Sequence, residues 1–289
     1  MSVSENALIC KIRRLPSPRA LIQFRLNTVR KYETYVAGSR ELKTFKASHE
    51  NNRRSSQGSR GLKRIVVSKD GPYIVSGNVP LTVQIIAPNR EGFSWDWKQG
   101  KTFDTGSEYK LCRCGRSMNK PFCDGTHTKI RFDGKETATR TPFARQAETF
   151  DGPTMTLSDA ENLCAFARFC DPAGKIWSLI EQTDNPEARK LVIREANHCP
   201  AGRLVVHDKK TGNVLEHKLP ASIGVVEDPA LGCSGPLWVR GEIRIESEDG
   251  KPYEVRNRVT LCRCGASSNM PFCNGSHASI KFADGLPKK

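Results

Sequence analysis

The sequence predicts an α+β protein in which two small β-rich units, each ending in a metal-binding loop, flank a segment of mixed helix and strand. Three observations carry that expectation. The spacing Cys-x-Cys-x8-Cys-x3-His occurs twice, at Cys112, Cys114, Cys123 and His127 and again at Cys262, Cys264, Cys273 and His277, with a constant offset of 150 residues. Runs of alternating apolar residues with turn signals precede each copy. Helical signals are confined to the stretch between the copies, roughly 153–232.

Length and composition set the limits. With 289 residues the chain is long enough for about two average domains. No run of about 18 apolar residues occurs, so no membrane span is expected. Of the formal net charge of +15, residues 1–64 carry +11, with 15 Lys and Arg against four Glu, and the remaining 225 residues carry only +4. The basic excess therefore belongs to the leader, and nucleic-acid binding is not expected of the folded body. Residues 1–64 read as largely disordered. Three readings stand side by side for them: a solvated tail, an organelle transit peptide, and an extension from a mispredicted start. Cys10 lies there as a lone thiol. Eleven cysteines are an odd number, and six of them sit in the two matched quartets, each with a histidine. That usage points to metal in a reducing compartment, the cytoplasm, or an organelle matrix if the leader is a transit peptide.

In chain order, the first unit spans 65–140. Strands are expected at Ile65 to Val67, at Tyr73 to Val75 and through Leu81, Val83, Ile85 and Ile86, punctuated by Asp70-Gly71-Pro72 and Gly77. Trp95 and Trp97 continue a strand alternation, and Tyr109-Lys110-Leu111 leads into Cys112. Gly71-Pro72-x2-Val75-x-Gly77 is echoed by Gly235-Pro236-x2-Val239-x-Gly241, so the repeat is longer than the metal loops. From that glycine to the first cysteine the first copy takes 35 residues and the second 21, which places about 14 extra residues around Trp95. In the second unit, 233–289, Ile243 and Ile245 alternate, Glu248-Asp249-Gly250-Lys251 supplies a hairpin turn, and Tyr253 to Leu261 returns to Cys262. A short strand is expected after each histidine, at Ile130-Arg131-Phe132 and Ile280-Lys281-Phe282. In the middle segment, Ser158 and Glu161 read as a capping box for a helix carrying Leu163, Phe166 and Cys170 on one face. Asn185-Pro186 starts a second helix that ends near Cys199-Pro200, and Thr211-Gly212 marks a hairpin.

Three thiols and one imidazole within sixteen residues are a metal site by composition, and they suit zinc as well as iron. Cys112 and Cys114, one residue apart, share one face of an extended chain and suit one metal atom. Cys123 and His127, four apart, would share a helical face, with Asp124 as the capping residue between them. Asn274 can cap in the same way without a charge. A histidine ligand binds only when neutral, so acid below its ordinary pKa of about 6.5 is expected to loosen the metal.

Both quartets resemble the CDGSH iron-sulfur signature, Cys-x-Cys-x2-Ser/Thr-x3-Pro-x-Cys-Asp-Gly-Ser/Ala/Thr-His. The first copy fits at every position, with Ser117 and Pro121 in place. The second departs once, at Asn274, while Ser267, Pro271, Gly275, Ser276 and His277 match. The resemblance implies a 2Fe-2S cluster held by three cysteines and one histidine in each copy. In that family two single-motif chains form an intertwined β-rich dimer, so this chain is expected to be a monomer that pairs its two units internally as a pseudo-dimer. The implied role is electron transfer, or the storage and handing over of clusters, with redox or cluster-acceptor proteins as partners. The spacing of Cys164, Cys170 and Cys199, the last followed by Pro200, resembles a shortened ferredoxin-like single-cluster domain. Those three thiols would suit a 3Fe-4S cluster, a 4Fe-4S cluster with Cys233 or His198 as fourth ligand, or simple packing in a degenerate domain. The fold class is thus α+β: two CDGSH units and an α/β ferredoxin-like insert at 153–232.

The rival reading is a zinc-binding structural module or one that meets nucleic acid through the basic arm. Arg113 and Arg263, between the paired cysteines, are expected in solvent, where they would steer an acidic partner. His198, His207 and His217 have no matching nucleophile or carboxylate. No phosphate-cradling loop, dinucleotide fingerprint or Ser-His-Asp set is present, so a carrier is expected and not an enzyme.

Overall fold

The computed structural model describes residues 62–286. Most of the basic leader, Cys10 included, lies outside the described residues. Alternation fixes the first strands: in β1 (Arg64–Val67) Ile65 and Val67 are fully buried, and in β2 (Tyr73–Ser76) Tyr73 and Val75 are too. Gly77, at φ 96°, turns the chain towards β3 (Leu81–Pro88), which is followed by β4 (Ser94–Phe103) and β5 (Glu108–Leu111). Single-turn helices α1 (Thr126–Lys129) and α2 (Phe143–Gln146) come next. The middle segment holds β6 (Glu148–Asp151), β7 (Met155–Asp159), α3 (Ile176–Leu179), α4 (Pro186–His198) and β8 (Leu204–Asp208). β9 (Ser222–Asp228), β10 (Cys233–Arg240), β11 (Arg244–Glu246), β12 (Arg258–Leu261) and α5 (Ser276–Ser279) complete the chain. Small sheets with few helices make this an α+β protein.

Strand pairing crosses between the repeats. One sheet has the order β11-β1-β2-β5 and a second β12-β10-β9-β3-β4. In the first, β1 pairs in parallel with β11, which lies about 180 residues later in the chain. In the second, β9 pairs in parallel with β3 of the other copy. The two exchanges are reciprocal, and β4, the extra length of the first copy, adds an edge strand. The apolar faces of both sheets merge into one core containing Ile65, Tyr73, Leu81, Ile223, Leu237 and Leu261. Burial of these side chains, at about 1.5–3 kcal/mol each, is the main force that keeps the repeats together.

The third sheet, β6-β7-β8, packs Met155, Leu157, Leu204 and Val206 against Ile176, Ile180, Val192 and Ala196 from the helices. α4 starts as expected: the Asn185 side chain accepts a hydrogen bond from the Glu187 N–H at 2.8 Å, and Pro186 occupies the first turn. The hairpin at Thr211-Gly212 is present, with Gly212 at φ 71°. Two expectations are overturned. No helix starts at Ser158, which lies in β7; residues 161–163 form one 3-10 turn, and the 164–170 stretch is irregular, with Phe166 and Arg168 at positive φ. No strand follows either histidine: α1 and α5 end there, and Arg131 and Lys281 adopt φ 51°, which breaks an extended run. Among the described residues no helix is long and apolar enough to cross a membrane.

Candidate metal centres

Each quartet is assembled by the end of a strand and the turn that folds back on it. Cys112 follows β5, and its N–H donates to Pro121 O at 2.8 Å, while the Cys123 N–H donates to Lys110 O at 2.9 Å. Cys262 N–H to Pro271 O and Cys273 N–H to Thr260 O, both 2.9 Å, repeat the arrangement after β12. Ser117 and Ser267 close the loops by donating to Phe122 O and Phe272 O at 2.6 and 2.7 Å.

The donors then fall into pairs. Cys112 Sγ and Cys114 Sγ are 3.7 Å apart, and Cys123 Sγ lies 3.3 Å from His127 Nδ1. In the second loop Cys262 and Cys264 are 3.6 Å apart and Cys273 lies 3.4 Å from His277 Nδ1. Two thiolates about 2.3 Å from one tetrahedral metal stand about 3.8 Å apart, and a thiolate and an imidazole about 3.6 Å. Each pair therefore fits one metal atom, and each quartet fits a binuclear group. Among the described residues no three Cys, His, Asp or Glu side chains gather as ligands of a single ion. Within the thiol pairs, the hydrogen bond from Cys114 holds Cys112 down at about 6, and Cys264 does the same for Cys262. The partner thiols Cys114 and Cys264 are correspondingly raised. One thiolate per pair is thus poised to meet a metal before the second proton leaves.

Cys123 and His127 do not share a helix, as their spacing had predicted. Gly125, at φ 86°, stands between Cys123 and α1 and turns the chain so that the imidazole comes back to the thiol. Asp124 does not cap α1 in the usual way; its carboxylate accepts from Met118 N at 2.8 Å and Thr126 N at 3.0 Å, and these bonds hold it well below the ordinary carboxylate range. Asn274 accepts from Ser276 N at 3.2 Å and donates to Ser268 Oγ at 2.8 Å, so the loop keeps its shape without the charge.

A family model described as an iron-binding zinc finger of CDGSH type matches residues 70–128 and 234–278. A second, described as a divergent 4Fe-4S mono-cluster, matches residues 150–209 between them. The chain thus carries two CDGSH-type iron-binding domains with a divergent 4Fe-4S segment between them. No curated protein and no solved structure matches it.

The arginine inside each CDGSH loop is not in solvent, against expectation. Arg113 is 1% exposed and donates to Gly71 O, Gly134 O and Ser68 O at 2.7–2.8 Å. Arg263 is 3% exposed and meets Gly235 O, Val226 O, Glu227 and Asp284. Both guanidiniums brace the loop from within, and the carbonyls and carboxylates that accept their hydrogen bonds offset the cost of burying the charge. Their identical placement between paired cysteines was the signal that could have revealed them.

The CDGSH loops also touch each other. Gly115, at φ 73°, lies so close to Cys264 that a Cβ would run into its carbonyl, and Gly265, at φ 80°, stands in the same relation to Cys114. Tyr73 extends the link by donating to Cys262 O at 2.7 Å and Pro271 O at 3.0 Å.

Of the middle cysteines, Cys170 and Cys199 pack on the same apolar core. Burial pushes the Cys170 thiol up to about 12, with Cys199 and Cys164 adding to the shift as electrostatic neighbours. Cys199 packs with Ala165, Ala201 and Cys273, which puts this segment directly against the second CDGSH site. Arg258, just before that site, donates to Cys199 O at 2.7 Å, Ala196 O at 2.9 Å and Leu204 O at 3.2 Å. β4 docks on the same segment: the Trp97 ring lies 4.8 Å from Phe169, and its indole N–H donates to His198 O at 3.2 Å. His198 is thereby a packed histidine, 3.4 Å from Asp96, and burial lowers its pKa.

Proposed function

We propose that each CDGSH loop holds one 2Fe-2S cluster and that the protein passes electrons or whole clusters between protein partners. The observation that carries this reading is the division of each quartet into two chelating pairs. Cys112 with Cys114 and Cys262 with Cys264 would hold one iron of each cluster; Cys123 with His127 and Cys273 with His277 would hold the other through the histidine Nδ1. When bound, such clusters supply one-electron redox chemistry. The single histidine leaves the donor set less negative than four thiolates, which argues for a potential between those of all-cysteine and two-histidine centres. The loop arginines, the loop serines Ser117 and Ser267 and the left-handed glycines keep the donors in place before metal arrives. Nothing in this role calls for a substrate of the protein's own, and we assign it as a carrier and not an enzyme.

Two finer points belong to the same proposal. The reciprocal pairings of β1 with β11 and of β3 with β9 support a monomer whose two CDGSH units form an intramolecular pseudo-dimer, with the segment between them, up to β9, as a ferredoxin-like insert. The proximity of Cys164, Cys170 and Cys199 supports a further cluster of the 3Fe-4S or 4Fe-4S kind there. Counting iron and acid-labile sulfide, with absorption and EPR before and after dithionite, tests all of this. Four irons and bands that bleach on reduction are expected from the two CDGSH sites, and seven or eight irons from all three. A colourless protein carrying two zinc ions would overturn the proposal.

A further inference from the structure

The two CDGSH sites share ligands and spacing but not surroundings. At the first, His127 lines an open cleft of about 420 Å³ together with Lys69, Asp70, Arg131 and Asp133. A methyl group added at Gly125 would meet nothing within 4 Å. At the second, the middle segment occupies the corresponding space. A Cβ on Gly275 would stand 3.1 Å from Phe166 Cβ and 3.4 Å from Cys164 O. Cys273 is 2% exposed, packed on Ala165, Ala201 and Cys199, and His277 is 4% exposed. Arg168 pins the covering loop to the end of β9 through Asp228, with N–O distances of 2.7 and 3.2 Å. The side chain of Asn269, in the second CDGSH loop, adds a hydrogen bond to Asn162 O at 3.0 Å.

Loss of a cluster to an acceptor is ligand exchange. An incoming thiolate forms a bond to iron as the bond to the histidine Nδ1 breaks, with no change of oxidation state, and the freed protein thiolates regain protons from water. The incoming group has its shorter route to the metal from the histidine side, because Cys112, Cys114 and Cys262 are buried at the back of the loops and only Cys264 among the paired cysteines is partly exposed. That side is open at His127 and walled at His277. We propose that the 164–170 loop gives the two sites different tasks: the first CDGSH site yields its iron and sulfide to thiol-bearing acceptors, and the second retains them. This rests on the cluster-binding reading of both sites.

The test uses the full chain at pH 7 with iron and sulfide counted beforehand. It is challenged with an iron(II) chelator and, separately, with an apo-ferredoxin. Loss is followed by EPR of dithionite-reduced aliquots, which separates two-iron from four-iron signals. The two-iron signal is expected to decay in two phases of equal size, their rates differing by about tenfold or more, the scale on which outer support controls metal retention. His127→Cys is expected to remove the fast phase. Arg168→Ala and Asp228→Asn, which free the loop, are expected to speed only the slow one. A single phase overturns the inference, as does a fast phase that survives His127→Cys but vanishes in His277→Cys. Should the loop variants fail to fold, the phases of the parent protein and of the two histidine variants still decide. A preparation without iron and sulfide instead removes the cluster-binding reading, and this is known before any acceptor is added.

Discussion

Arg263 holds two buried carboxylates, Glu227 and Asp284, together with two backbone carbonyls. Replacing it by Met would strand both acids, so Arg263→Met is expected to cost about 3–5 kcal/mol in urea unfolding of the metal-free chain. Arg113→Met strands only carbonyls and should cost less, about 1–3 kcal/mol. Glu195 is the reverse case. It is 1% exposed, accepts from Ala173 N at 3.2 Å through one oxygen, and its other oxygen has no hydrogen-bond partner. Burial raises its pKa to about 8. Between its unfolded value and that raised one the folded state binds the extra proton, so stability falls as pH rises through this window, by at most about 1.4 kcal/mol per pH unit. Glu195→Gln is expected to abolish that slope in melting curves recorded from pH 5 to 8. Both features escape a reading of the sequence for one reason. A charged residue is read as solvated unless its partners are visible, and the partners of Arg113 lie on segments some 21–45 residues away. The grouping of each quartet was legible because its four side chains fall within sixteen residues of one another.

Loops and strands show the same divide between local and distant causes. Gly115 needs both its left-handed φ and its missing Cβ, because the carbonyl of Cys264 occupies the space a side chain would take. Gly115→Ala should therefore disturb the opposite loop as well as its own. Reduced optical and EPR signals from both CDGSH sites are expected, with a stability cost above the roughly 1–2 kcal/mol of a left-handed alanine. Loss at the first site alone would show that the loops do not support one another. The helix at Asn185-Pro186 was legible since cap and proline act within one turn. The supposed capping box at Ser158 was not one, because Met155 and Leu157 bury on one face of β7 and draw Ser158 into the sheet. Three residues such as Ile130-Arg131-Phe132 are too few to distinguish alternation from a helix end. The tight turn between each thiol and its histidine owes its form to Gly125 and Gly275 at positive φ, which ligand spacing does not reveal.

The whole molecule depends on how its three parts are fastened, and none of that is local. Sheets built from β1 with β11 and β3 with β9 join residues some 140–180 positions apart, so neither CDGSH copy completes its sheet alone. Arg258 is 2% exposed and gathers three carbonyls of the middle segment. Arg258→Met is expected to raise hydrogen exchange across 196–204 by about tenfold or more, as a loss of about 1.4 kcal/mol of local stability requires. Burial, with help from Arg263, draws the pKa of the free His277 imidazole down to about 4. In a symmetric dimer of identical chains every substitution strikes both sites at once. Here the reciprocal strand pairing is written into one chain, so Asp124 can become Asn274 in one copy only, and a wall can rise over one histidine and not the other. Selection can then adjust either centre while leaving its twin as it was.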